Sequence, residues 1–207
     1  MYETMEEFGY IDIDELGNHY YSDKADAFAD KIFKVIDDVK DNFNEGFTFN
    51  VESVPGERAA VILAQKDKLL HGSKYDILSN QWIPLSAKCT FQEKTRVSSM
   101  LDNRAGGGSI SHYNMNAPFA NTDQAWDMLN YIASNGVIYF AFNYRINECE
   151  HHHGFIGTDF CPECGGKSID TVQRIVGFLQ PRRHYSQPRK EEFDSRKWFE
   201  YAQTKME

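Results

Sequence analysis

Three of the four cysteines in the chain lie within a short stretch that also contains three consecutive histidines. The stretch runs from Cys149, through His151 to His153, to Cys161 and Cys164. Two thiolates at a Cys-x-x-Cys spacing can point into one tetrahedral metal shell, and the glycines after Cys164 let the backbone curl tightly behind them. Because bound metal ties distant residues together, this cluster constrains the fold more than any other feature of the sequence.

The cluster predicts a zinc ribbon built from two pairs of ligands. Of the three histidines, His153 is preferred because only it is followed by glycine, as Cys164 is, and His152 is the reserve. A redox Cys-x-x-Cys would need a strand-then-helix setting and would leave Cys149 unexplained. Four ligands leave no open position for water, so the Zn²⁺ is predicted to hold the fold and to do no chemistry. The predicted ligands are Cys149, His153, Cys161 and Cys164.

Charge and composition exclude several classes of protein. The chain has 31 acidic and 22 basic side chains, a formal charge of −9, whereas a nucleic-acid-binding protein needs a basic footprint. No run approaches the roughly 18 apolar residues of a membrane span, and the first residues are acidic, unlike a signal peptide. We therefore expect no nucleic-acid or membrane partner and a cytoplasmic location.

Helices and strands alternate along the chain, which predicts an α/β fold. Ser22 is the predicted N-cap of the first helix, Gly72 the predicted end of the second, and Asn121 with Gln124 a capping box for the fourth. Apolar side chains at helical spacing are expected to face a core. In the first helix these are Phe28, Ile32, Val35, Ile36, Val39 and Phe43, and in the fourth Trp126, Leu129 and Ala133.

The strand predictions depend on alternation and on β-branched or aromatic content. Strands are expected at 47–53, 109–115 and 137–146, and residues 75–85 are expected to be extended because Pro84 disfavours helix at the residue before it. An apolar turn is expected at 171–179 and a closing helix from about Arg189.

The remaining candidate groups have structural explanations. Cys89 is expected to be an apolar filler, and the glycine run 106–108 lacks the strand-turn-helix setting of a phosphate site. His112 is expected to be a hydrogen-bonded strand residue. The arginines near the C-terminus are expected to lie on a solvated linker and helix face: Arg182, Arg183, Arg189 and Arg196.

Five segments, in this order, together resemble the C-terminal part of the anaerobic, class III ribonucleotide reductases. They are Tyr75 to Leu85 (YDILSNQWIPL), Gly106 to Ile110 (GGGSI), Val137 to Asn143 (VIYFAFN), Cys161 to Gly166 (CPECGG) and Arg174 to Leu179 (RIVGFL). The resemblance covers the chain from about residue 45 onward. It implies the C-terminal portion of a ten-stranded α/β barrel with an appended zinc ribbon and a radical loop. The implied division is 1–146 partial barrel, 147–180 ribbon and radical loop, and 181–207 linker and helix.

The resemblance also implies an oxidoreductase with Gly177 as its catalytic residue. In the family, the matching glycine stores a glycyl radical that a separate S-adenosylmethionine activase, carrying an iron-sulfur cluster, installs by removing the α-hydrogen. Glycine suits this role because an α-carbon without Cβ can flatten and delocalise the electron over both flanking amides. The implied substrate of the assembled enzyme is a ribonucleoside triphosphate.

The cysteine that forms the family's thiyl radical has no match in this chain, since no cysteine precedes Cys89. We therefore expect an upstream reductase polypeptide or a homodimer partner to supply it, and we expect this chain alone not to reduce nucleotides. Two other functions stay open. One is a glycyl-radical repair part that docks onto a damaged enzyme, and the other is a zinc-ribbon interaction protein without catalysis.

Overall fold

The computed structural model describes residues 1–43, 46–53, 56–174 and 178–204, and the predicted α/β class is confirmed. The helices within these ranges are α1 Tyr2–Glu7, α2 Asp23–Asn42, α3 Glu57–His71, α4 Phe91–Asp102, α5 Thr122–Ser134, α6 Gln187–Ser195 and α7 Tyr201–Thr204, with a 3-10 helix at Arg182–His184. The strands are β1 Ile11–Ile13, β2 His19–Tyr21, β3 Ser111–Asn114, β4 Phe140–Asn143, β5 Ile146–Cys149, β6 Gly154–Ile156, β7 Ser168–Arg174 and β8 Leu179–Pro181. No helix in these ranges combines the length and hydrophobicity that crossing a membrane requires.

The strands form three separate sheets. β1 and β2 are an antiparallel pair, β3 and β4 are a parallel pair, and the other four strands form an antiparallel sheet in the order β6-β5-β7-β8. The resemblance implies only the C-terminal portion of a ten-stranded barrel, and the described strands by themselves do not show such a barrel.

The first core lies where α1, α2 and α4 meet. Ser22 caps α2 as predicted, since its hydroxyl accepts the Ala25 N–H. The buried face of α2 is Ala25, Ala29 and Phe33, so the predicted apolar face is wrong beyond the first half: Val35 and Val39 are 62% and 65% exposed. A 20-residue helix is about 30 Å long, and here only its first half lies over the core.

The second core lies between α4, α5 and the parallel strands β3 and β4. Asn121 caps α5 as predicted, because its side chain accepts the Gln124 N–H at 2.9 Å. The predicted inward face of α5 is wrong, since Trp126 is 57% exposed whereas Met128 and Ile132 are buried. The side chains at 128 and 132, four residues apart, form the face of α5 that meets the sheet. The helix is therefore rotated about its axis relative to the orientation that the sequence pattern predicted.

Two predicted extended segments take other conformations. Within 46–53, only Glu52 forms a β-bridge, to Gly108, and residues 75–85 consist of turns and bends. In the second segment the Ser79 hydroxyl accepts the Gln81 N–H and donates to the Gln81 carbonyl, a local pattern that competes with strand pairing. Of the turn predicted at 171–179, residues 171–174 belong to β7, Leu179 begins its antiparallel partner β8, and 175–177 lie outside the described residues.

Candidate metal centre

Four side chains converge at one end of the four-stranded sheet. Cys149 ends β5, His153 immediately precedes β6, and Cys161 and Cys164 lie in the loop before β7. One donor atom from each of these residues lies within 4.8 Å of the others. The structure thus brings together all four residues that the sequence predicts as zinc ligands.

Two tight turns produce this convergence. In the first, the His152 N–H donates to the Cys149 carbonyl at 2.9 Å, with His152 in the left-handed region at φ 61°. In the second, the Gly165 N–H donates to the Cys161 carbonyl at 2.9 Å, with Gly165 at φ 71°. A residue without Cβ adopts this φ at little cost, which explains the glycine after the second cysteine.

The donor set fits a tetrahedral Zn²⁺ ion. A Zn–S bond of about 2.3 Å gives a tetrahedral edge of about 3.8 Å between two sulfurs. The Sγ atoms of Cys149 and Cys164 are 3.7 Å apart, and the Sγ of Cys161 is 3.4 Å from Nδ1 of His153. Three sulfurs and one imidazole nitrogen are a typical structural zinc set, and they leave no position for a reactive water.

Hydrogen bonds favour the thiolate form at one of the ligands. Desolvation raises the pKa of Cys161, but donors from the Cys164 and Glu163 backbone and from His153 outweigh it and bring that pKa to about 7. At Cys164 a hydrogen bond from the Gly166 backbone lowers the pKa, but desolvation and the neighbouring Cys161 and Cys149 sulfurs leave it raised. Several thiolates this close repel one another, and a cation between the sulfurs offsets that repulsion.

The three histidines take different positions. His153 is in the cluster, whereas the His152 side chain is 76% exposed and its Nδ1 contacts the Glu148 carboxylate. The His151 ring stacks against that of His153 with 6.0 Å between centroids. Among these histidines, the geometry favours His153 as the fourth ligand.

A charge network next to the cluster was missed from the sequence. Glu148 and Asp170 are directly opposite each other on β5 and β7, where two like charges repel. Arg183 lies between them, with Nη1 at 2.6 Å from the Asp170 carboxylate and 3.3 Å from that of Glu148. The residues are far apart in sequence, and only the strand register shows that they meet.

Gly177 lies outside the described residues, as do its neighbours at 175 and 176. On either side, Arg174 ends β7 and pairs with Leu179, the first residue of β8. Strand β7 starts opposite Cys149, where Ser168 is its register partner. One strand therefore runs from the metal cluster to the connection that contains Gly177.

Two of the predicted solvated arginines are in fact buried. Arg189 and Arg196 are only 6% and 4% exposed, whereas Arg182 and Arg183 remain partly exposed. Burial is possible because Glu192 on α6 forms ion pairs with both Arg189 and Arg196. Charged residues in a polar helix usually lie in solvent, so the sequence carried no signal of this arrangement.

The other candidate groups have structural roles. The Gly107 N–H donates to the Val51 carbonyl at 2.7 Å, so the glycine run contacts the protein's own backbone. His112 is fully buried, and its backbone N–H donates to the Gln81 side chain at 2.9 Å. Cys89 packs against the first core, and burial raises the pKa of its thiol to about 11.

Comparison with known proteins gives one family. The family model described as anaerobic ribonucleoside-triphosphate reductase matches residues 1–199, and no curated protein matches the chain. A solved structure titled anaerobic ribonucleotide reductase is 36% identical with a TM-score of 0.89, over 96% of this chain and 32% of its own. The Thermotoga maritima enzyme with glycerol in its active site is 37% identical, with a TM-score of 0.84 over 92% of this chain and 32% of its own. The same enzyme in complex with dATP and CTP is 36% identical, with a TM-score of 0.80 over 93% and 32% of the two chains. The chain thus spans about a third of the length of these structures. On this match, the chain belongs to the anaerobic ribonucleoside-triphosphate reductase family.

Proposed function

We propose that this chain is the glycyl-radical-bearing segment of an anaerobic ribonucleoside-triphosphate reductase. The observation that carries the proposal is the match over residues 1–199, within which a zinc-type donor cluster is followed by one strand and then by the connection that contains Gly177. In this proposal the segment converts ribonucleotides to deoxyribonucleotides when joined to the upstream part that carries the thiyl cysteine.

Gly177 is the proposed catalytic residue. The activase, which carries an iron-sulfur cluster, would supply a carbon radical derived from S-adenosylmethionine; one α-hydrogen atom of Gly177 bonds to that radical, so the Cα–H bond breaks homolytically and the unpaired electron stays on the α-carbon. Such hydrogen abstraction is the chemistry of the activase's cofactor, whereas the protein supplies the position of the glycine. Zn²⁺ held by Cys149, His153, Cys161 and Cys164 has a structural role and takes no part in this step.

The proposed partners follow from the partial coverage and from the sheets. Two parallel strands alone make a marginal sheet, and parallel sheets normally have both faces covered, so β3 and β4 favour a larger sheet completed by another part of the reductase. That part is an upstream polypeptide or a homodimer partner. Within the proposed division, 1–146 belongs to the barrel, 147–180 is the ribbon and radical loop, and 181–207 is the linker and helix.

The proposed substrate is a ribonucleoside triphosphate bound by the assembled enzyme. A related structure is titled as a complex with dATP and CTP, which supports nucleotides as the ligand class. The net charge of −9 speaks against nucleic acid as a partner.

Anaerobic activation followed by electron spin resonance tests the proposal. With the activase, we expect a doublet signal from the α-hydrogen that remains on Gly177, and its loss in Gly177→Ala. The matched control is Gly106→Ala, because a Cβ on Gly106 meets no heavy atom within 4 Å. After exposure to air, mass spectrometry is expected to show cleavage at residue 177. A signal that persists in Gly177→Ala contradicts the assignment, and an intact chain with a working activase favours a scaffold without catalysis.

A further inference from the structure

Arg196 is a buried charge that binds both an ion-pair partner and a neighbouring strand. Its side chain is 1% exposed, and Nε and Nη2 donate to the two carboxylate oxygens of Glu192 at 2.9 and 3.1 Å. A bidentate pair of this kind is strong and directional, and Glu192 shares its charge with Arg189 as well. The pair with Glu192 does not use the third guanidinium nitrogen, Nη1.

That nitrogen binds the end of β7. Nη1 of Arg196 donates to Oε1 of Gln173 at 2.8 Å and to the carbonyl of Arg174 at 3.0 Å. Gln173 and Arg174 are the last two residues of β7 before the connection to β8. Since Gln173 is fully buried, these bonds form away from water, where each contributes more to local rigidity.

Tyr185 holds both strands of the hairpin. Its hydroxyl lies 3.3 Å from the carbonyl of Gln173 and 3.1 Å from that of Gln180, and these two residues are cross-strand partners on β7 and β8. The Tyr185 ring packs edge-on against Phe193 of α6, with 5.5 Å between centroids. The two groups that bind β7 and β8 therefore flank α6, with Tyr185 before the helix and Arg196 directly after it.

A third contact ties the same point to the parallel strands. The Arg174 N–H donates to Oδ1 of Asn143 at 3.3 Å, and Nδ2 of Asn143 donates to Oδ1 of Asn114 at 2.8 Å. Asn143 ends β4 and Asn114 ends β3, and both are 1% exposed. Buried side chains from two different parts of the fold thus hold both backbone polar groups of Arg174.

We propose that Arg196 and Tyr185 are positioning residues, which fix the strand ends on either side of the connection 175–178 against α6, while Asn143 ties Arg174 to β4. We call the contacts that Arg196 and Tyr185 make with β7 and β8 the clamp. Its functional meaning rests on the proposed function, because the connection contains Gly177. Radical transfer between a glycine and a cysteine requires close approach, and a displacement of about 1 Å can cost on the order of 100-fold in rate. Holding β7 at residues 173 and 174 and β8 at residue 180 restricts displacement of the strand ends that flank the connection.

The test uses the chain assembled with its upstream reductase part. Arg196→Lys keeps the positive charge beside Glu192 but cannot also reach both acceptors on β7. We expect turnover per radical, with the radical counted by spin resonance, to fall by about tenfold while zinc content and thermal midpoint stay close to those of the parent. Tyr185→Phe keeps the ring and removes only the hydroxyl, so it tests the clamp even where the arginine variant folds poorly.

Two substitutions serve as matched controls. Arg104→Lys alters an exposed arginine that pairs with Asp30, and Tyr20→Phe removes a hydroxyl that donates to Asp14. Both are expected to keep the parental turnover per radical. Equal turnover per radical in Arg196→Lys, Tyr185→Phe and the controls overturns the proposal.

Hydrogen exchange of the zinc-loaded chain separates this proposal from the proposed function. Backbone amides at 172–174, 179 and 180 are expected to exchange about tenfold faster in Arg196→Lys, whereas those of α5 keep their parental rate. If the parent forms no radical, the proposed function fails, and the exchange data still decide whether Arg196 holds the hairpin. Unchanged exchange at these amides overturns the clamp whatever the radical measurement gives.

Discussion

The Sγ atoms of Cys149 and Cys164 lie 3.7 Å apart, although the two residues are fifteen positions apart in the chain. This distance is too long for a disulfide bond of about 2.05 Å, and two thiolates so close would repel each other without a cation. It matches the edge of a tetrahedral zinc shell. The spacing of these two sulfurs therefore predicts a bound metal ion.

We predict one zinc ion per chain, and its loss in Cys149→Ser. Structural zinc contributes its binding free energy to folding, so the four-stranded sheet is expected to unfold first when the ion is removed. Zinc content by mass spectrometry and thermal unfolding with and without a chelator check this. Cys89→Ser is the control, because Cys89 lies outside the cluster, and it is expected to retain zinc. A parent chain that binds no zinc and unfolds identically with chelator contradicts the prediction.

The choice between neighbouring histidines gives a second prediction. We expect His153→Ala to weaken zinc binding by more than about 100-fold, beyond the range typical of outer-shell partners. His152→Ala is the matched control, since this side chain is exposed and contacts Glu148, and it is expected to keep nearly parental affinity. Competition with a chromogenic chelator measures both. Strong loss in His152→Ala together with none in His153→Ala would reverse the assignment.

Gly107 approaches the segment 50–52 too closely for a side chain. A Cβ on Gly107 would lie 3.0 Å from the Val51 carbonyl oxygen, 3.1 Å from Cβ of Asn50 and 3.2 Å from Cβ of Glu52. We predict that Gly107→Ala lowers the free energy of unfolding by about 1–3 kcal/mol, the usual range for overpacking. Urea unfolding measures it.

The neighbouring glycine provides the control for this prediction. A Cβ on Gly106 meets no heavy atom within 4 Å, so Gly106→Ala is expected to change stability by less than about 0.5 kcal/mol. Equal changes in the free energy of unfolding for the two substitutions would mean that the close approach of Gly107 to Val51 does not affect stability.

Local signals in the sequence identified the parts of the fold that depend on a few neighbouring residues. Ser22 and Asn121 cap helices, and Gly72 ends one at φ 69°, because each interaction lies within a single turn. The zinc-type cluster was equally accessible, since ligand spacing and turn glycines are adjacent in sequence.

Features set by tertiary contacts could not be predicted in this way. Trp126 is exposed and Arg196 is buried, against expectation, because the packing of α5 on the sheet and the contacts of Arg196 with β7 join residues from separate segments. The strand expected at 47–53 depended on a partner, and its described part forms only one β-bridge. The β-propensity of a segment predicts its structure poorly where strand formation depends on neighbours that are distant in the sequence.

Asp102 gives a prediction about pH. This carboxyl is 2% exposed at the C-terminal end of α4, and it accepts the Trp82 indole N–H at 2.8 Å. Burial raises its pKa from 3.8 to about 6, although hydrogen bonds from Trp82 and Ser109 and the charge of Lys94 partly oppose the shift. The folded chain therefore binds more protons here than the unfolded chain between these pH values, and stability falls as pH rises. The contribution is fully present below pH 3.8 and is lost as pH rises through about 6.

Asp102→Asn removes this titration and keeps an oxygen that accepts the Trp82 N–H. We expect the stability of the variant relative to the parent to increase by up to about 3 kcal/mol between pH 4 and pH 7, at about 1.4 kcal/mol per unit of pKa shift. Urea unfolding of both proteins across this range measures the difference, and the pH dependence of the zinc site cancels because both proteins contain it. Asp30→Asn, at an exposed carboxylate, is the matched control. Parallel stability curves for Asp102→Asn and the parent would show that the buried carboxyl ionises without cost, in conflict with its burial against Trp82.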